Sequence, residues 1–175
     1  MEVSYPTTLV ADTSVLINFL CIDRMDLIAR HSYSFAVTEH VAEEVKNYYS
    51  DERKRLEDAF KSAILREERV EARILAAVPA SLAASRRLGL GERSAIALAI
   101  SKGWQLAIDD RRATKEALEI GPSLEIMTTQ DLVVSIIRQN LLSIAEADDI
   151  KHLWTTRYRY HLRIKRFADA VRGSA

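Results

Sequence analysis

The feature that most constrains this chain is a repeated pattern: short apolar runs that stop at an acid, separated by stretches with helical spacing. Leu9–Val10–Ala11 stops at Asp12, and Trp104–Ile108 stops at Asp109–Asp110. Ser34–Thr38 leads directly into Val41, Val45, Tyr48 and Tyr49, which recur at helical intervals. Leu124–Met127 reads as one more strand. Strands that alternate with helices in this way build a parallel sheet. In open sheets of that kind ligands bind beyond the carboxyl ends of the strands, where these acids lie.

The helices follow from spacing and punctuation. A helix through about Leu20 follows Asp12, with Thr13 or Ser14 as its cap. A short helix is expected near Met25–Arg30. Residues 51–69 are dense in charge, with Leu56, Ala59, Phe60, Ala63 and Ile64 on one face, which predicts an amphipathic helix. Val70–Leu75 is open between strand and helix. Ser81–Leu88 reads as a helix broken by Gly89 and Gly91, and Glu92–Lys102 as a helix ended by Gly103. Arg112–Ile120 closes at Gly121–Pro122, and Gln130–Asn140 and Ala145–Val171 read as further helices with no strand between them. The fold class is therefore α/β. Residues 1–128 carry the sheet, and 129–175 form a C-terminal helical extension packed on it.

At 175 residues, 48% of them hydrophobic, the chain can bury a full core without staples. Cys21 is the only cysteine, so no internal disulfide forms, and its apolar surroundings make it a small core residue. No apolar run reaches membrane-span length and no basic leader is visible, so a soluble cytoplasmic protein is expected. The net charge of zero conceals an asymmetry. From Lys151 onward the bases are Lys151, Arg157, Arg159, Arg163, Lys165, Arg166 and Arg172, with Asp169 the one acid, which leaves the rest acidic. An acidic body can hold metal while a basic tail meets a polyanion.

Asp12, Glu43 and Glu44, Glu92, and Asp109 and Asp110 are the acids that the sheet would bring together. Each has an ordinary use as a helix cap or a partner of the helix dipole. Carboxylates converging on one sheet edge repel each other unless a cation neutralises them. Oxygen ligands select Mg²⁺ or Mn²⁺, and the four histidines show no zinc-site spacing. Such a site suits hydrolysis of a phosphodiester.

Four stretches then resemble the PIN-domain family: Leu-Val-Ala-Asp-Thr-Ser-Val-Leu-Ile (9–17), Val-Thr-Glu-His-Val-Ala-Glu-Glu-Val (37–45), Gly-Leu-Gly-Glu-Arg-Ser-Ala-Ile-Ala-Leu-Ala (89–99) and Leu-Ala-Ile-Asp-Asp-Arg-Arg-Ala (106–113). The likeness is to prokaryotic members that include the toxins of toxin–antitoxin pairs. It implies a three-layer α/β/α fold and a Mg²⁺- or Mn²⁺-dependent endoribonuclease. The family's acids fall on Asp12, Glu44 (Glu43 if the helix is rotated), Glu92 and Asp110, with Asp109 a rival to Asp110, and its helix-start hydroxyl falls on Ser14. The resemblance also implies an RNA substrate, a homodimer and a small antitoxin partner. A non-catalytic RNA-binding module and a nuclease or phosphatase acting on DNA or small phosphoesters are the alternatives. Arg93, Arg111 and Arg112 border the acids, either gripping phosphates or balancing charge. Arg159, Arg163 and Arg166 are the tail's phosphate candidates, whereas Leu153, Trp154, Tyr158, His161 and Leu162 fit packing along a helix.

Overall fold

The computed structural model describes residues 7–78 and 88–173. It shows a five-stranded, all-parallel sheet flanked by helices, an α/β/α fold. The strands β1 (Thr8–Ala11), β2 (Ser34–Thr38), β3 (Leu65–Glu68), β4 (Gln105–Ala107) and β5 (Ile126–Met127) lie in the order β3-β2-β1-β4-β5. The chain moves outward from β1 through β2 to β3, then returns to place β4 on the other side of β1. The direction therefore switches between β1 and β4, where Val10 pairs with Leu106 and Ala11 with Ala107. Asp12 N–H donates to Ala107 O (2.9 Å) just past that pairing. This is where a parallel sheet opens a crevice for ligands.

The central strands are buried on both faces: Leu9, Val10, Ala36, Val37, Leu106 and Ala107 are inaccessible to solvent. Helices α1 (Thr13–Cys21) and α2 (Met25–Ala29) join β1 to β2, and α3 (Glu39–Tyr48) and α4 (Ser50–Lys61) join β2 to β3. Helices α5 (Ala72–Ala76) and α6 (Leu90–Lys102) precede β4, and α7 (Arg111–Ile120) joins β4 to β5. Gly103, at φ 64°, ends α6 in the left-handed conformation that glycine adopts without strain. A buried hydroxyl pair, Thr38 Oγ1 and Ser94 Oγ at 2.7 Å, ties the start of α3 to α6 and so fixes two acid-bearing helices against each other.

Some expectations change, and one open segment is settled. Residues 51–69 are not one helix: α4 stops at Lys61 and Leu65–Glu68 pairs in parallel with β2 as the sheet's edge. Only Leu65 of Leu-Arg-Glu-Glu is buried, so the strand lacks an apolar signature, and its charges suit an exposed edge. The open segment Val70–Leu75 forms the short helix α5. The cap of α1 is Asp12 rather than Thr13 or Ser14, since its carboxylate accepts from Ser14 N. Ala145–Val171, where helices without an intervening strand were expected, forms α9 (Ile144–Arg157) and α10 (Phe167–Gly173), with non-helical chain between. His161 falls in that chain and is exposed, not packed. The helix expected over Ser81–Leu88 lies, apart from Leu88, outside the described residues.

The segment after β5 shares the sheet's core. Helix α8 (Thr129–Arg138) contributes Leu132, Val133 and Ile136, α9 contributes Trp154, and α10 contributes Phe167. Trp154 is fully buried edge-on to Phe19, and its indole N–H donates to Asn18 O (2.8 Å). His31 joins β2's approach to α8. Its Nδ1 lies 3.0 Å from Tyr33 N and its Nε2 3.0 Å from Ser135 Oγ and 2.9 Å from Gln139 Nε2, and burial lowers its pKa to about 4.

Candidate metal and nucleic-acid site

Asp12 follows β1 and sits 2% exposed at the switch point. Its Oδ2 accepts from Ser14 N (3.1 Å) and Ser14 Oγ (2.7 Å), so it caps α1 while Ser14 holds its orientation. Ser14 Oγ in turn accepts from Asp109 N (3.0 Å), which links β1's end to β4's end. Asp12 Oδ1 is buried with no hydrogen-bond partner among the described residues. Burial, and next the charge of Glu44, raise the Asp12 pKa, while the Ser14 hydrogen bonds pull against them.

Glu44 lies on α3, one turn past its start, and its Oε2 accepts from Thr13 Oγ1 (3.0 Å). It reaches so close to the first turn of α6 that a Cβ on Gly91 would collide with Oε2. Glycine there is what lets the Glu44 carboxylate lie against the helix that carries Glu92. Glu92 accepts from Gly89 N (2.8 Å), closing the start of α6. Asp110 Oδ1 caps α7 by accepting from Arg112 N (3.0 Å) and Ala113 N (2.8 Å).

These residues line one cleft of about 420 Å³: Asp12, Ser14, Glu44, Glu92, Asp110 and Arg112 of the sequence candidates, joined by Thr13, Tyr49 and Glu116. Among the described residues no group of three or more His, Cys, Asp or Glu side chains is already arranged to hold a metal ion. The acids face a common space rather than a common point. Glu116 was missed by sequence reasoning. It is 7% exposed beside Ala113 and Ala117 on the buried face of α7, and its Oε2 has no hydrogen-bond partner among the described residues. Its register with those alanines was the available signal. Tyr49 was taken as packing only; burial, and then Glu44 and Asp12, raise its pKa.

The remaining candidates go elsewhere. Glu43 is exposed and lies outside the cleft lining. Asp109 points away from the cleft. Its Oδ1 accepts from Thr129 N (2.7 Å), and its Oδ2 from Thr129 Oγ1 (2.7 Å), Tyr160 Oη (2.8 Å) and Asn18 Nδ2 (3.2 Å). Arg93 Nε donates to Val78 O, and Arg112 Nε approaches Glu116 Oε1 at 3.4 Å. Arg111, Arg163 and Arg166 are exposed and do not line the cleft. Arg159 lines a second cavity that shares Ser14 and Tyr49 with the first.

The fold and site together are a parallel α/β/α sheet with carboxylates gathered beyond its carboxyl edge. The family model of a PIN domain (DUF3368) matches residues 8–166, and the chain belongs to the PIN-domain family. PIN domains are generally nucleases and typically use divalent metals. Among solved structures, the chain is similar to a PilT N-terminus domain protein from the hyperthermophilic archaeon Sulfolobus solfataricus P2, at TM-score 0.52 and 15% identity, over 74% of this chain and 93% of that one. That likeness concerns the fold alone. No curated protein matches. No helix among the described residues is long and apolar enough to cross a membrane.

Proposed function

We propose that this chain is an endoribonuclease that hydrolyses RNA phosphodiester bonds with Mg²⁺ or Mn²⁺ held in the acid-lined cleft. One observation carries the reading: Asp12 keeps a buried carboxylate oxygen without a partner, on the wall that it shares with Glu44, Glu92 and Asp110. A buried, under-bonded carboxylate beside another acid costs stability unless a cation joins it. The donors are all oxygens, which suits a hard divalent ion.

Asp12, Glu92 and Asp110 would hold the ion, and Glu44, fixed by Thr13, would help hold a second or orient the attacking water. When bound, the metal supplies a water of lowered pKa and compensates charge building on the phosphate. Ser14 keeps its hydroxyl proton on Asp12 and so serves to aim that carboxylate rather than to attack. Arg112 brings positive charge to the cleft wall, where a flanking phosphate would compete with Glu116 for it. RNA is preferred over DNA on the family resemblance. The same resemblance supports a homodimer, silenced by a small antitoxin whose basic segment enters the cleft. A monomer in light scattering would count against the dimer.

The test is cleavage of labelled single-stranded RNA and DNA with Mn²⁺, with EDTA, and by Asp12→Asn. RNA cleavage that both controls abolish is the expected result. Binding of RNA that survives EDTA with no cleavage indicates a non-catalytic module, and cleavage of DNA alone indicates a deoxyribonuclease.

A further inference from the structure

Beside the acid cleft lies a second cavity, of about 400 Å³, lined among others by Ile17, Cys21, Tyr49, Glu52, Tyr158 and Arg159. Ser14 and Tyr49 line both, so the two are immediate neighbours. Its chemistry differs from that of the first. The cleft is a gathering of acids; the second cavity has aromatic and aliphatic walls, one cation, Arg159, and two acids, Glu52 and the fully hydrogen-bonded Asp109.

The segment that builds its outer wall is held in place at several points. Tyr158 Oη donates to Cys21 O (2.7 Å) and Tyr160 Oη to Asp109 Oδ2 (2.8 Å). Tyr160 also packs edge-on to the buried Trp154 ring. Between these anchors Arg159 takes φ 55°, a left-handed backbone that a non-glycine residue adopts only where its surroundings impose it. The two tyrosine hydroxyls thus fix the rings that flank it, and the exposed Arg159 side chain lies at the cavity's rim. Glu52 has no ion-pair partner among the described residues, although Arg159 lines the same cavity. Asp109, which could have been an acid of the cleft, is spent on anchoring this wall.

We propose that the second cavity is a nucleoside subsite, which takes one base and ribose of a single-stranded RNA whose next phosphate lies in the acid cleft. This rests on the nuclease reading. Aromatic walls accept the faces of any base, and Arg159 attracts the attached phosphate. Glu52 repels phosphate and accepts N–H groups of a base, so the base enters and the backbone stays at the rim. The apolar Ile17 and Cys21 exclude a bare phosphate from the interior.

The experiment is titration of the full chain in EDTA with adenosine and uridine 5′-monophosphates, followed by NMR. Shifts are expected at Tyr49, Glu52 and Tyr158–Tyr160. Arg159→Ala, at an exposed position, should weaken binding about tenfold, and Tyr158→Leu by a similar factor, whereas Tyr158→Phe, which keeps the ring and loses only its anchor to Cys21 O, should weaken it less than Tyr158→Leu. In Mn²⁺-dependent RNA cleavage, Arg159→Ala should raise KM about tenfold and leave kcat within about twofold. Shifts confined to the acid cleft, or Arg159→Ala binding and cleaving as the unaltered protein does, would overturn the proposal. Nucleotides that bind at Tyr158–Tyr160 in a protein that cleaves no RNA would sustain the subsite and remove the nuclease reading instead.

Discussion

Asp12 and Asp109 terminate neighbouring strands and are linked through one serine, yet their environments are opposites. Asp109 is saturated: Thr129, Asn18 and Tyr160 direct four donors at its two oxygens. Asp12 takes two hydrogen bonds from Ser14 on Oδ2 and leaves Oδ1 buried without a hydrogen-bond partner among the described residues. A carboxylate satisfied by the chain's own donors is a fixture of the fold. One that burial penalises and the chain leaves unsatisfied is a position held for something else.

The contrast breaks most readily at Asp109. Asp109→Ala strands the Thr129, Asn18 and Tyr160 donors and should cost about 3 kcal/mol in denaturant unfolding. A loss below about 1 kcal/mol would mean that the network is decorative. A second saturated group, His31, should show in the pH dependence. Its folded pKa is lowered to about 4 from 6.5, so the unfolded chain binds the extra proton between those values and stability falls as pH falls through that window. After allowance for solvent screening, the loss from pH 7 to 5 should be about 1–2 kcal/mol. It should shrink in His31→Gln. Tyr160→Phe removes one of the four donors to Asp109 and should cost about 1 kcal/mol, with unchanged Mn²⁺ dependence of cleavage. Gly91→Ala sharpens the other side. The added Cβ collides only with the far end of the Glu44 side chain and lies at ordinary contact distance from Val41 Cγ2, so stability should change by less than about 1 kcal/mol. Displacing that carboxylate should lower RNA cleavage about tenfold or more. Normal cleavage by Gly91→Ala would show that Glu44's place against α6 is immaterial.

Much of this was legible in the sequence because the signals were strong where burial was strong. β1, β2 and β4 are doubly buried and announce themselves as apolar runs, and the acids at their ends were visible as punctuation. β3 was not visible, since an edge strand of Leu-Arg-Glu-Glu buries a single side chain. The break between Arg157 and Phe167 was hidden because Tyr158, His161 and Leu162 fit helical spacing, whereas the Tyr158 and Tyr160 hydroxyls in fact anchor a non-helical segment. Asp109 and Asp110 could not be separated from sequence. Their roles depend on which way each side chain points as the strand ends, and Asp109's donors come from residues as far away as Asn18 and Tyr160. Glu116 pairs at i,i+4 with Arg112, and its register with Ala113 and Ala117 was the one sequence sign that it is buried.

The account's centre is the bare oxygen of Asp12, and thermal unfolding of the unaltered protein and Asp12→Asn, each in EDTA and in Mn²⁺, tests it directly. Because its folded pKa is raised, Asp12 makes the native state hold a proton that the unfolded chain has released, so its cost to stability grows as pH rises from 3.8 through the folded value. Near neutral pH in EDTA, Asp12→Asn should therefore be the more stable protein, by about 1 kcal/mol. Mn²⁺ should stabilise the unaltered protein and leave the variant nearly unmoved. An Asp12→Asn protein less stable in EDTA, with Mn²⁺ acting equally on both, would contradict the account.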